Sequence, residues 1–342
     1  MNLEHPPGLK TEILTTRTHQ DFARAVARAA SLLRAGEIVA LPTETVYGLA
    51  ANALDADAVA KIYSIKGRPS HNPIIIHVAD VAMAKDCVAE WTTTASRLAD
   101  SFWPGPLTMV LPRTKTIPDI VTAGGETVGV RWPSHPFIQA VIRECGFPLA
   151  APSANLSNAI SPTSAAHVSR QLDGKLPLIV DGGDSQVGIE STVIDLTSAR
   201  PRVLRPGMIH EESLAASLDL DGLSNVVTRP GEALRSPGLL RKHYSPKATL
   251  KIISWRDDAD LKSRIPHPAS VAHVICHTHI PSPDDRIRVS VLPRDAAAFA
   301  RSIYAELHRC DEAGAGLIVV ETPPDLPEWR GVTDRLTRAA AD

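Results

Sequence analysis

The sequence predicts a mixed α/β protein in two units: a larger one over residues 17–208 and a smaller parallel one over 248–342, joined by a long connection at 209–247. Three observations predict it. Short β-branched runs alternate with segments of helical periodicity, and no fixed-spacing repeat is present. Proline, glycine and charge gather between Ile209 and Lys247. At 342 residues and 44% hydrophobic, the chain can bury two cores.

In order along the chain, a helix over His19–Ala35 carries Phe22, Val26, Ala29 and Leu33 on one stripe and stops at Gly36. Ile38–Leu41 is a β-rich run closed by Pro42, which leaves Thr43, Glu44 and Thr45 where a strand opens into a loop. Asp55 caps a helix through Ile65 with Val59, Ile62 and Tyr63 inward, and Lys66-Gly67-Arg68-Pro69 ends it. The following run, Ile74–Val78, is a buried strand containing His77. Further strands are expected at Leu107–Leu111, Thr127–Arg131, Leu149–Ala151, Leu178–Val180, Thr192–Asp195 and Val203–Leu204, with helices interspersed. Ser161-Pro162 reads as the cap and first residue of a helix to Gln171. In the second unit Thr249–Trp255, Ser270–Cys276, Ile287–Leu292 and Gly316–Glu321 are strand-like, while Ala296–Cys310 and the segment ending at Arg338 are helical.

Composition excludes several classes. A net charge of -2 gives no whole-molecule field for nucleic acid, so any basic RNA-binding face must be local. Cys87, Cys145, Cys276 and Cys310 form no CxxC pair, which fits reduced thiols and a cytoplasmic protein. Cys276-His277-Thr278-His279 is read as a loop, because tight spacing without a distant fourth ligand is a poor zinc site. No apolar run nears the roughly 20 residues of a membrane span. Neither GxxxxGK[ST] nor GxGxxG after a strand occurs, so a nucleotide would have to be held by scattered side chains.

Such side chains cluster at the element junctions. Lys66 and Arg68 meet at one helix exit, where cations also complement the helix dipole. An imidazole in a buried strand, His77, must find a partner or stay neutral. Arg131 closes a strand where a guanidinium could grip a carboxylate or phosphate, although an ordinary ion pair explains it equally. Ser153 and Asn155 lie two apart in a loop, suited to one ligand or to a local turn. Asp181-Gly182-Gly183 and Gly188–Thr192 allow tight turns or close backbone approach, and Arg205 adds a cation in a turn. Together these groups suit a polyphosphate beside a carboxylate.

Taken in order, Leu41-Pro-Thr-Glu-Thr-Val-Tyr-Gly-Leu49, Lys66-Gly-Arg-Pro69, Trp103-Pro-Gly-Pro-Leu-Thr108, Gly129-Val-Arg-Trp-Pro133, Pro152-Ser-Ala-Asn155 and Glu190-Ser-Thr192 strongly resemble the YrdC family of threonylcarbamoyl-AMP synthases. Ser236-Pro237-Gly238 through Arg241-Lys-His243-Tyr244-Ser-Pro246 resembles the linker of its two-domain members. The resemblance implies a YrdC-like twisted mixed sheet with helices, a smaller Rossmann-like parallel α/β C-terminal domain, and a linker over 209–247 that folds back as an active-site lid. It implies condensation of L-threonine, bicarbonate and ATP to threonylcarbamoyl-AMP and pyrophosphate, with Mg2+ bridging the phosphates and the product handed to a tRNA threonylcarbamoyl transferase. Carried over by motif, Thr45, His77, Arg131, Ala151 and Ser191 would hold threonine. Arg68, Asn72, Thr127, Ser153, Asn155, Ser161, Arg205, His243 and Tyr244 would hold ATP, and Lys66 and Arg68 would oppose the polyphosphate in catalysis. No protein metal ligand is expected. Two other readings stay open: an RNA-binding module, and the carbamoyl-transferring enzymes of hydrogenase maturation, whose zinc-finger segments the cysteine count denies.

Overall fold

The structure, a computed structural model, describes residues 10–225, 242–265 and 271–341. The first unit runs β1 (Glu12–Thr15), α1 (His19–Arg34), β2 (Val39–Leu41), β3 (Gly48–Asn52), α2 (Ala56–Lys66), β4 (Ile76–His77), α3 (Val81–Cys87), α4 (Thr93–Phe102), β5 (Leu107–Pro112) and α5 (Asp119–Thr122). It continues through β6 (Thr127–Arg131), α6 (Pro136–Cys145), β7 (Leu149–Ala150), α7 (Ala165–Leu172), β8 (Leu178–Asp181), β9 (Thr192–Asp195), β10 (Arg202–Arg205), α8 (Glu211–Ser217) and β11 (Ser224–Asn225). Among the described residues the strands form one sheet in the order β1-β8-β2-β3-β7-β4-β6-β5-β9-β10-β11. Its pairings mix senses, parallel for β4 with β6 and β5 with β9, antiparallel for β2 with β3 and β5 with β6. That is the mixed sheet expected.

Local sequence explains most element ends. Thr18 accepts the Asp21 N–H to open α1, and Asp55 accepts the N–H groups of Asp57 and Ala58 to open α2. Gly67 closes α2 in the left-handed region (φ 59°), where a side chain would be strained. The α1 stripe packs on the sheet through Ala25, Ala29 and Leu33, with Phe22 and Val26 at its rim.

Four readings are corrected. Ser164, not Ser161, caps α7, accepting from the His167 N–H; Ser161 lies three residues upstream with a different partner, described below. Strand β3 was not expected, because Gly-Leu-Ala-Ala-Asn has little β-propensity; burial of Gly48–Ala51 and pairing on both edges make it a strand. Strand β1, ahead of residue 17, pairs in parallel with β8 at the sheet edge. The connection is not extended throughout: α8 and β11 lie in its first part, and β11 joins the large sheet. The motif at Ser236–Arg241 and Ser270, the expected start of a strand, lie outside the described residues.

The second unit comprises β12 (Thr249–Ile253), α9 (Asp258–Arg264), β13 (Ala272–Cys276), β14 (Ile287–Val291), α10 (Ala296–Glu312), β15 (Leu317–Glu321) and α11 (Arg330–Ala339). All its strand pairs are parallel, in the order β12-β15-β13-β14. Cys276 ends β13, and His277–His279 is a loop built round Glu321, whose carboxylate accepts the N–H groups of His277, Thr278 and His279.

The two units share a core. Val46, Ile160 and Ile189 of the first pack in one cluster with Phe299, Ile303, Tyr304, Trp329, Val332 and Leu336 of the second. Contact is close: a Cβ on Gly188 would lie 2.4 Å from Ala300 O, too near to fit without a shift, and one on Gly331 would press at 3.0 Å on three backbone atoms of Gly207.

Candidate active site

Separate junctions converge on one cavity. The loop after β2 supplies Thr43 and Thr45, the turn after α2 Arg68, β4 His77, the end of β6 Arg131, the loop after β7 Ala151 and Ser153, the entry to β9 Glu190 and Ser191, and the end of β10 Arg205. His243 and Tyr244, from the last part of the connection, complete the wall. Ten residues assigned by resemblance therefore line it: Thr45, Arg68, His77, Arg131, Ala151, Ser153, Ser191, Arg205, His243 and Tyr244.

Each cation is held by oxygen. Arg131 donates from Nη1 to Thr45 Oγ1 (2.9 Å) and from Nε to Gly105 O (3.3 Å), and its Nη2 lies 2.8 Å from Glu44 Oε1. Burial would raise the pKa of Glu44, but Arg131 and the Ser134 N–H overcome it and bring it below the usual carboxylate range. Arg68 donates to Asn72 O (3.0 Å), Asn72 Oδ1 (2.8 Å) and Pro73 O (2.6 Å). Burial lowers its pKa to about 10, which leaves it charged at neutral pH. Arg205 clasps Ser191 through its carbonyl (3.0 Å) and its Oγ (3.2 Å), and Ser191 Oγ lies 2.8 Å from Thr108 Oγ1.

The imidazoles are neutral. Burial, then Arg131, lowers the pKa of His77 to about 3, and burial does the same to His243. Neither Nδ1 has a hydrogen-bond partner among the described residues, nor has the Tyr244 hydroxyl. Buried polar atoms left unpaired beside a cavity suit a polar ligand. Tyr244 is also held at φ 64°, an unusual conformation for a bulky residue. The strap carrying it is tied to both units, with the His243 N–H on Arg338 O (3.2 Å) and the Ser245 N–H on Asn158 O (2.8 Å).

Five assigned residues do not line the cavity. The Lys66 ammonium donates to the carbonyls of Ser153 and Asn155 and to Asn155 Oδ1, so Lys66 and Asn155 form a layer behind Ser153. Burial and Arg68 press the pKa of Lys66 well below the lysine range, while three oxygen acceptors call for three N–H groups. Asn72 lies behind Arg68 as its acceptor. Ser161 donates to Glu190 Oε1 (2.5 Å) and reaches the wall through it. Thr127 begins β6, at the end of the strand opposite Arg131.

Some participants carried no assigned role from sequence. Thr43, Glu44 and Glu190 were visible only as parts of motifs. Arg335, in α11, had no local signal at all; it is 1% exposed and bonds Glu190 Oε2 at 2.7 Å.

Comparison with known proteins gives the family and the fold. A model of the Sua5, YciO and YrdC proteins, described as "Telomere recombination", matches residues 31–207, and one described as "Threonylcarbamoyl-AMP synthase, C-terminal domain" matches 209–341. The chain belongs to the Sua5/YciO/YrdC family. Among its relatives is a threonylcarbamoyl-AMP synthase of Bacillus subtilis, 39% identical over 335 residues and covering 92% of each chain. Another, from Pyrococcus abyssi, is 37% identical over 319 residues, covering 91% of this chain and 93% of that one. The crystal structure of P. abyssi Sua5 complexed with L-threonine superposes with a TM-score of 0.86 at 35% identity, covering 96% of this chain and 98% of the other. The YrdC-like sheet and the parallel second unit are thus those of the two-domain members of the family.

Proposed function

We propose that this protein is a threonylcarbamoyl-AMP synthase, condensing L-threonine, bicarbonate and ATP to threonylcarbamoyl-AMP, pyrophosphate and water. The observation that carries the reading is the convergence of Thr45, Arg68, His77, Arg131, Ser153, Ser191 and Arg205 on one cavity from well-separated stretches of chain. Arg131, oriented by Glu44 and Thr45, supplies the charge for the threonine carboxylate, with the neutral His77 beside it. Arg68 and Arg205 are the cations available for the phosphates, and Lys66 stiffens the loop that presents Ser153.

The chemistry needs no enzyme nucleophile. The threonine amine attacks the bicarbonate carbon and water leaves; a carbamate oxygen then displaces pyrophosphate at the α-phosphorus. Rate enhancement comes from orientation and from fixed positive charge on the phosphates. Mg2+ supplies further neutralisation of the phosphates when bound. The residues suit an ion carried by ATP and water: among those described, no group of three or more acidic, histidine or cysteine side chains gathers to cage one, and both oxygens of Glu190 are taken. Hand-over of the product to a tRNA threonylcarbamoyl transferase, and action in the cytoplasm where ATP and tRNA meet, go with this reading. The test is pyrophosphate release from ATP with threonine and bicarbonate present, then with each omitted. Release is expected only with the full set; release indifferent to threonine would sink the reading.

A further inference from the structure

Glu190 is the one acidic side chain among the described residues lining the cavity. A carboxylate there would repel a triphosphate and lower the net charge that Arg68 and Arg205 provide. Its neutralising partner comes from the other unit. Arg335 of α11 donates from Nε to Glu190 Oε2 (2.7 Å), and the Tyr304 hydroxyl of α10 donates to the same oxygen (3.1 Å). The same guanidinium bonds Glu190 O (3.1 Å), Pro206 O (2.9 Å) and Asp334 Oδ2 (2.8 Å), a carboxylate that Arg338 also holds, and lies 5.4 Å from the centre of the Tyr244 ring. It therefore joins the residue before Ser191 to the residue after Arg205 and stacks on a third part of the wall.

We propose that Arg335 is a positioning residue through which the C-terminal domain sets the charge of the nucleotide site, cancelling Glu190 and fixing the backbone beside Ser191 and Arg205. The proposal rests on the synthase reading above. It assigns the second domain a role within the cavity: the wall is electrostatically complete only when α11 is docked. Arg335 touches no substrate; it acts through Glu190. The pKa of Glu190, which burial would raise, is brought below the usual range by Arg335 and then Arg205, in keeping with an ionised pair.

The test is calorimetric binding of MgATP, and separately of L-threonine, to the full-length protein and its variants at constant pH. R335Q removes the chief compensation of Glu190 and is expected to weaken ATP about tenfold or more, with threonine affinity much less affected. R335K keeps the charge and is expected to recover most of the loss. The double variant E190Q/R335Q removes both charges and is expected to return ATP affinity to near the wild-type value. The proposal is overturned if R335Q, shown to be folded by a cooperative melt, binds ATP like wild type, or if the double variant is as weak as R335Q. Should R335Q fail to fold, the double variant decides: near-native ATP affinity supports compensation, and a tenfold loss rejects it. Wild-type protein that binds no ATP and releases no pyrophosphate would instead overturn the synthase reading itself.

Discussion

Arg131 shows how a single residue joins stability to recognition. It is buried, and its charge is balanced by Glu44, whose pKa it helps to depress. Arg131→Ala therefore does two things. It removes the guanidinium offered to the substrate carboxylate, worth about 2 kcal/mol or more, and it strands a buried carboxylate, which costs about 3–5 kcal/mol of stability. The expected outcome is a raised KM for threonine together with a lower melting temperature. Adding Glu44→Gln should restore much of the stability but not the KM. If the double variant recovers both, Arg131 serves only its ion pair. From sequence, an arginine at a strand end was legible as a candidate anion grip. Its internal partner, far away in sequence, was not, because Glu44 and Arg131 meet only when β2 and β6 are assembled in one sheet.

At the level of elements, α11 carries the most consequential contact. Gly331 sits near its start, where Gly→Ala in an ordinary exposed helix would gain about 1 kcal/mol. Here an added Cβ would press at 3.0 Å on the Gly207 backbone, which has no flexible end to move aside. The overpacking cost of about 1–3 kcal/mol should win. Gly331→Ala is thus expected to be destabilising in denaturant unfolding, and to weaken ATP binding if α11 lifts from Glu190. A stabilised variant would show that the contact is looser than the backbone distances say. The helices α1 and α2 were legible because the apolar stripe of the first and the Asp55 and Gly67 ends of the second act locally. Strand β3 was not, since its alanines and glycine become a strand only between β2 and β7. Ser161 misled for a related reason. Its hydroxyl satisfies the buried Glu190, and the capping it could have supplied falls to Ser164.

Across the whole molecule, buried histidines tie stability to pH. Burial is the leading cause that lowers His77, His167 and His243 to about 3 and His308 to about 4. His167 and His308 stack across the two units at 4.0 Å, with His308 Nε2 3.1 Å from Ser161 O. In the unfolded chain each would take up a proton near its ordinary pKa of about 6.5. With folded values depressed, their contribution is complete above about pH 6.5 and is lost as pH falls toward the folded values. Glu44 and Glu190, also depressed, extend the loss to still lower pH. Thermal melts should therefore fall steadily between about pH 6 and 4. A melting temperature unchanged down to pH 4.5 would contradict neutral burial of these rings.

The mixed sheet, the parallel second unit and most of the cavity wall could be read from the chain alone, because periodicity, caps, glycine turns and contiguous motifs are local signals. Their physical causes act within a few residues. What needed the folded molecule was charge pairing: Glu44 with Arg131, Glu190 with Arg335, and the withdrawal of Lys66 behind Ser153. Those groups are far apart in sequence, and an isolated carboxylate or cation carries no mark of the partner that burial will demand of it. Docking of the second unit decided the rest, since only that contact brings α11 to the wall of a site whose other residues lie in the first.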